Sequence, residues 1–388
     1  MTVIDPQAAT AAYITRLDAS ELELARSYTT GNHWLILGGL VVSALVAWIV
    51  VRSGVLDRLH GRLSRRGPFL TVLAIAAAYL AISSVLSLPW SIYTDWWRET
   101  LYDRTDQGLG DFLSQGAISL VLTVTMGAVL LAAIYALIRK AGRWWWAWSG
   151  ALVAGFAAFV LLASPIVIEP LFNDFQPIPE GEVRDGVLAL AEEAGVPADR
   201  VFMFDGSRQS NNFTANVAGL GPNARIAISD VALGEASLDE VLAVTGHEIG
   251  HYTSGHVWRM LAVISVLALA AFWLTDRLYP RVARWFGAET VLSDPRGMPV
   301  FVFLVGLLFT LATPVTNAVT RVGEREADAY SLRTVNLPDG LASALIKTAE
   351  YRYPLAGPLE EALFYTHPTV ENRIRAAMEW KAANPAKR

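Results

Sequence analysis

Six stretches of the chain are apolar right round and long enough to cross a bilayer, which takes about 20 residues of helix. They run over 33–52, 69–90, 116–138, 144–168, 258–275 and 298–320. One such helix could be buried in a large soluble core, but six in one chain point to lipid. The fifth is the shortest, because Asp276 and Arg277 end its apolar run. Between the fourth and fifth stretches the pattern changes to that of a globular domain. After a Pro-rich segment from Pro170 to Pro179, a helix is expected over 181–195, ended by Gly195 and Pro197. VFMFDG at 201–206 and ARIAISD at 224–230 read as short strands followed by turn residues. Ser237 and Glu240 have the spacing of a capping box, which starts another helix. A second polar region, 321–388, follows the sixth stretch and reads as helical. The expected fold is mostly α: a polytopic membrane protein with about six transmembrane helices. Its expected divisions are a four-span region 1–171, a polar domain 172–257, two spans within 258–322, and a second polar part 323–388.

Composition sharpens this picture. Hydrophobic residues make up 53% and charged ones 17%, too apolar a balance for a chain that is soluble throughout. Trp90, Trp96, Trp97 and Trp144 to Trp146 sit at the ends of apolar runs, where indoles mark the membrane interface. A net charge of −5 leaves no basic footprint, so no nucleic-acid partner is expected. The first 32 residues are polar and mildly acidic, and no cleavable signal peptide is expected from them. There is no cysteine, which removes disulfides and thiolate metal sites. Any zinc must then be held by imidazole and carboxylate, the donor set of catalytic sites with an open position.

That donor set is present. His247-Glu248-Ile249-Gly250-His251 is an HExxH run on the helix begun at Ser237. Residues four apart share a helix face, so both imidazoles can point at one ion. Glu248 lies about 100° round from His247, placed to exchange a proton with a zinc-activated water. A third ligand at the metzincin position fails: Val257 and Ser254 stand where His and Gly are required, and His256 is one position early. The alternative is a carboxylate on a downstream helix. Glu324 and Asp328, four apart after the sixth span, share a face, so Glu324 can bind the ion while Asp328 orients a ligating imidazole. Glu326 is about 200° round from Glu324, and its loss is expected to leave metal content unchanged.

HEIGHYTSGH (247–256), EREADAYS (324–331) and Thr366-His367-Pro368 with Arg373 resemble, in order, the three signatures of M48 peptidases. These are gluzincins that include the Ste24-type CAAX prenyl proteases and the HtpX-type membrane proteases. Leu88 to Ser91 with Tyr93, Glu169 to Phe172, Pro177 to Gly181 and Asp205 to Ser207 are similar to the Ste24 type in particular. The resemblance implies a zincin-like catalytic domain and a zinc metalloendopeptidase. One Zn2+ per chain would be held by His247, His251 and Glu324, with Glu248 as general base and Asp328 orienting the first His. It implies that His367 and Arg373 contact the oxyanion or substrate backbone. It also implies that Thr214, Ala215 and Asn216 occupy the substrate-binding edge strand, although that segment usually reads Asn-Ala-aromatic. Ste24 proteins have seven spans around a large chamber; the one without a counterpart here is their first. The implied partners are a bilayer and a peptide or protein substrate, lipidated or membrane-tethered. HtpX-like turnover of membrane proteins shares this chemistry and differs in substrate. An inert six-span scaffold or transporter is the reading from another class, but it should have lost Glu248 or a ligand, and none is lost.

A bacterial plasma membrane is the expected location, and charge bears on the orientation within it. Arg52, Arg58, Arg62, Arg65, Arg66, Arg139, Lys140, Arg143, Arg277, Arg281, Arg284 and Arg296 fall in loops on one side. Arg16, Arg26, Arg98 and Arg104 fall on the other, with the polar domain. The positive-inside rule therefore puts the polar domain outside the cytoplasm, whereas the Ste24 resemblance puts it in the cytosol. The charge count is read from this chain and sets the expectation. A reporter that works only in the cytoplasm, fused after Arg388, should be inactive; an active fusion would reject the charge argument.

Overall fold

The computed structural model describes residues 4–219 and 224–385. Its helices begin with α1 (Pro6–Ile14), α2 (Ala19–Ser53), α3 (Val55–Leu63), α4 (Pro68–Ser91) and α5 (Arg98–Leu101). They continue with α6 (Leu109–Lys140), α7 (Trp145–Ala163), α8 (Glu182–Glu193), α9 (Asp230–Glu235) and α10 (Leu238–Thr253). The last are α11 (His256–Phe286), α12 (Met298–Thr334), α13 (Pro338–Lys347), α14 (Pro358–Phe364) and α15 (Val370–Ala383). Among the described residues the four strands are β1 (Phe175–Pro177), β2 (Val201–Phe204), β3 (Ala215–Ala218) and β4 (Arg225–Ser229), in sheet order β1-β2-β4-β3.

All six apolar stretches lie in helices long enough to cross a membrane. Helices α2, α6 and α12 continue beyond their apolar runs on the side of the polar domain, since nothing in their polar turns breaks a helix. At 37 residues α12 is about 55 Å long, well beyond a hydrocarbon core of about 30 Å. A single rod therefore crosses the bilayer and carries Glu324 and Asp328 in its last turns. The expected boundary between 322 and 323 falls inside this helix, and that between 257 and 258 falls inside α11. Helix α1 also departs from a purely membrane-embedded N-terminal region. Its Tyr13 packs with Leu341, Ile374 and Met378, and the Tyr13 hydroxyl donates to Asp339 at 2.9 Å.

The membrane bundle is packed at one end only. Val50, Ile75, Tyr79, Tyr135, Trp145, Phe272, Tyr279 and Phe301 form a dense core at the end remote from the polar domain. Nearer that domain the spans bury less of their surface, although α2 and α4 still meet where Trp90 lies against Gly38. No residue of 30–45, 81–93, 106–127, 151–164, 257–267 or 305–316 is buried. A bundle packed through this depth would bury one face of each helix. Cavities of about 810 Å³ between α4 and α6 and of about 750 Å³ between α7 and α11 open at this depth, and the polar domain roofs them at Gln209 and at Val217 and His251.

The roof is joined to the bundle where α10 crosses α12. A Cβ on Gly246 would lie 2.4 Å from Val335 Cγ2, and one on Gly250 would lie 3.0 Å from Ala327 Cα and 3.1 Å from its carbonyl oxygen. Glycine at both positions lets the backbones approach closely. By contrast Gly155, on α7, has open space where a Cβ would go. Gly250→Ala should thus force the helices apart and destabilise the protein by about 1–3 kcal/mol. Gly155→Ala should be neutral or stabilising by up to about 1 kcal/mol. Thermal unfolding of the two variants in one detergent checks the contrast, and a Gly250→Ala protein as stable as the wild type would contradict the close packing.

Candidate active site

The start of α10 is fixed well before the chemistry begins. The Ser237 N–H donates to Glu240 Oε2 at 2.7 Å, and the Glu240 N–H returns to Ser237 Oγ at 3.4 Å. Glu240 is itself held by Lys347 Nζ at 2.9 Å and Ser343 Oγ at 2.7 Å, from α13. Three turns on, His247 and His251 face α12, and Glu324 faces back at them. His247 Nε2 is 3.0 Å from His251 Nε2 and 3.3 Å from Glu324 Oε2; His251 Nε2 is 3.3 Å from Glu324 Oε1. A tetrahedral zinc with bonds of about 2.0–2.1 Å needs donor atoms about 3.3–3.4 Å apart, so these three could hold one with almost no movement. Glu324 Oε2 is also buried with no hydrogen-bond partner among the described residues, which is costly unless a cation completes it.

Each imidazole is held from behind through Nδ1. His247 Nδ1 is 2.9 Å from Asp328 Oδ1, and Arg373 grips that carboxylate as a fork, Nε to Oδ2 at 2.8 Å and Nη2 to Oδ1 at 2.7 Å. Arg373 is buried, 3.6 Å from Glu324 Oε2, on the closed side of the cluster. The expected contact with oxyanion or substrate is thus not where the structure places it. Spacing along α15 could not show that its side chain turns inward to neutralise Asp328 and Glu324. His251 is held differently. Its Nδ1 lies 2.8 Å from His256 Nδ1, whose Nε2 lies 2.8 Å from Glu326 Oε2.

The open side of the cluster is formed by His251 and His367, whose side chains are each 27% exposed against 8% for His247 and 4% for Glu324. Glu248 is half-buried, and its carboxylate has no side-chain hydrogen bond among the described residues. Burial pushes its carboxyl above the ordinary range, against the pull of His247 and His251. His367 Nε2 is 3.3 Å from Glu324 Oε1, and its Nδ1 meets Thr366 Oγ1 at 2.8 Å. Burial, followed by the Arg352 charge, drives its pKa down to about 3, so His367 is a neutral donor rather than a cation. Two residues of α12 that the sequence did not single out hold the last turn of α14, from which the loop bearing it leaves. Arg321 Nη1 donates to the Glu361 carbonyl at 2.9 Å and Asn317 Nδ2 to the Leu363 carbonyl at 3.0 Å. Their only signal was polarity at the end of an apolar helix.

Strand β3 is one of the two edges of the sheet and pairs antiparallel with β4, Ala215 opposite Ile228 and Val217 opposite Ile226. Thr214 precedes it and accepts from the Ser229 N–H at 2.9 Å. In an antiparallel ladder inward and outward residues alternate. Thr214 and Asn216 therefore bond to β4, and Ala215 and Val217 turn their backbone N–H and C=O to the open edge. Of the three residues expected on this edge, Ala215 has the backbone that faces outward, and Val217 is a fourth that the sequence did not suggest. Beside them an apolar cavity of about 750 Å³ reaches from His251 to the spans, lined by Val160, Leu161, Val217, Trp258, Leu261 and Ile264 among others.

Comparison with known proteins places this arrangement. The profile described as Peptidase family M48 matches residues 177–381. The profile described as CAAX prenyl protease N-terminal, five membrane helices, matches residues 6–174, where this chain has four candidate spans. The chain is 28% identical over 368 residues to the metalloprotease YhfN of Bacillus subtilis, covering 92% of this chain and 85% of that protein. It is 28% identical over 368 residues to the CAAX prenyl protease 1 homolog of Arabidopsis thaliana, covering 93% and 85%. The crystal structure of S. mikatae Ste24p is similar with a TM-score of 0.68 at 25% identity, covering 79% of this chain and 76% of that one.

The His247 environment sets a pH dependence for metal binding. Burial alone would lower its pKa, but Asp328 and Glu324 outweigh burial and raise it to about 10. Below that pH a metal must displace a proton from His247, so affinity should fall as pH falls, about tenfold per unit for this one proton. Chelator-competition titrations at pH 8, 7 and 6, corrected for the chelator's own protonation, check this; a constant affinity would contradict it.

Proposed function

The chain belongs to peptidase family M48 and is a membrane-embedded metalloprotease, and on that premise we propose a zinc endopeptidase that cuts extended, membrane-tethered peptides. One ion would be held by His247, His251 and Glu324. The observation that carries this is the meeting of three donor atoms at tetrahedral spacing, with Glu248 beside them and free of other partners. Zinc held there supplies Lewis-acid activation of water and of the scissile carbonyl.

The remaining work falls to side chains of this chain. Glu248 takes a proton at its carboxylate and returns it to the leaving amine, a role favoured by burial that brings its pKa closer to neutrality. Asp328, backed by Arg373, keeps the His247 proton on Nδ1 so that Nε2 offers its lone pair. His367, neutral and on the open side, donates an N–H to the oxygen on which charge develops. The substrate lies as an added strand on β3, bonded to the outward groups of Ala215 and Val217. The two halves of the catalytic unit are 172–257 and 323–388, flanking spans 258–322, with 1–171 as the first membrane part apart from α1, which packs on the second half.

Substrate class follows from the approach to the site. The apolar cavity beside His251, which runs between α7 and α11, suits a peptide that carries a lipid group, as the CAAX prenyl protease names of the relatives suggest. The bacterial plasma membrane is the proposed setting, in keeping with the Bacillus relative. The test uses purified protein in bilayers, with one peptide in prenylated and unmodified forms. The prenylated form should have the higher kcat/KM, and Glu248→Gln should keep its metal while losing about 10²–10⁴-fold in rate. Wild-type turnover by the Gln variant would remove Glu248 as the base, and equal kcat/KM for the two peptides would remove the lipid from the account.

A further inference from the structure

We propose that His256 and Glu326 form a relay that sets the tautomer and the aim of His251, so that a second carboxylate holds the metal site from its open side. The relay rests on the reading of His247, His251 and Glu324 as ligands. To offer its Nε2 lone pair, His251 must carry its proton on Nδ1. That N–H faces His256 Nδ1 at 2.8 Å. His256 can accept there only if its own proton is on Nε2, which faces Glu326 Oε2 at 2.8 Å. A carboxylate only accepts, and Arg259 Nη1, 2.9 Å away, favours its ionised form. Neutral imidazoles leave this chain one consistent proton arrangement, and it ends with a lone pair on His251 Nε2.

The packing around the relay is close. His256 is 9% exposed and opens α11 directly after Gly255, whose φ of 64° is the left-handed turn that sends the chain from α10 into the span. A Cβ on Gly323 would lie 3.2 Å from His256 Nδ1 and 3.0 Å from Arg259 Nη2, so glycine there admits both side chains. The two ligating imidazoles are thus held by parallel devices. On the closed side Arg373 and Asp328 act on His247 directly; on the open side Arg259 and Glu326 act on His251 through a second imidazole. Glu326 is the residue whose loss the sequence expected to be harmless. It is no ligand, but it sits one imidazole behind one. His256 and Glu326 are positioning residues.

The test measures metal binding rather than turnover, on the full-length protein in detergent, by chelator competition with Zn2+ and by the absorption bands of the Co2+ form. His256→Leu should weaken binding about 10–100-fold and change the cobalt spectrum, and Glu326→Ala should weaken it about tenfold. His256→Asn should recover most of the loss, because its side-chain oxygen can accept from His251 Nδ1–H. The Glu326 side chain is 44% exposed, so Glu326→Ala carries the test if His256→Leu does not fold. Affinities within about twofold of the wild type with an unchanged spectrum would overturn the relay. So would a loss in His256→Leu that neither Asn restores nor Glu326→Ala shares, since that is packing alone. Full affinity in Glu324→Ala would overturn the ligand reading beneath it, a separate failure.

Discussion

Everything at the candidate site depends on how closely α10 approaches α12. A metal of zinc's size needs donors about 3.3 Å apart, and these come from two helices whose axes would ordinarily lie 8–10 Å apart. Gly246 and Gly250 on one helix, against Ala327 and Ser331 on the other, remove the side chains that would keep the backbones separate. The Ser331 hydroxyl then donates to the Ala243 carbonyl at 2.6 Å, a tie between the helices that a wider separation would break. Because α12 is also a membrane span, the same contact places the cluster near the bilayer, beside the apolar cavity that His251 shares with α7 and α11. Ligand geometry and the nearness of the site to the membrane therefore share one structural cause.

The electrostatics follow from that crowding. Glu324, Asp328 and His247 are buried together, and unpaired carboxylates at such depth would be strongly destabilising. Arg373 supplies the compensating charge from behind, which is why it is buried and faces away from the open edge. A proton on His247 or a metal cation supplies the rest from the front. The open side is left to His251, to a neutral His367 and to Glu248, whose carboxylate has no competing partner.

How much of this was legible in the sequence depended on the kind of pattern involved. The spans were readable because they are apolar right round, but their ends were not, since polar turns of α2 and α12 continue the same helices without a break. The pairing of His247 with His251, and of Glu324 with Asp328, followed from helical spacing, because four residues return to one face. The strands Val201–Phe204 and Arg225–Ser229 were visible as apolar runs. Phe175–Pro177 is too short to show a period, and the edge strand at 215–218 was suggested only by resemblance. Contacts between distant elements left no local trace. Nothing near Arg373 says that it turns inward, nothing near Glu326 says that it meets His256, and Arg321 looks like any cation at the end of a span.

The central claim is that α10 gives two imidazoles and α12 one carboxylate to a single ion. X-ray absorption at the zinc edge of the purified, zinc-loaded protein tests it most directly. The account predicts one zinc per chain, about four nitrogen or oxygen neighbours near 2.0–2.1 Å, and outer-shell scattering from two imidazoles. Scattering from a single imidazole, or an all-oxygen shell of about six neighbours, would contradict it.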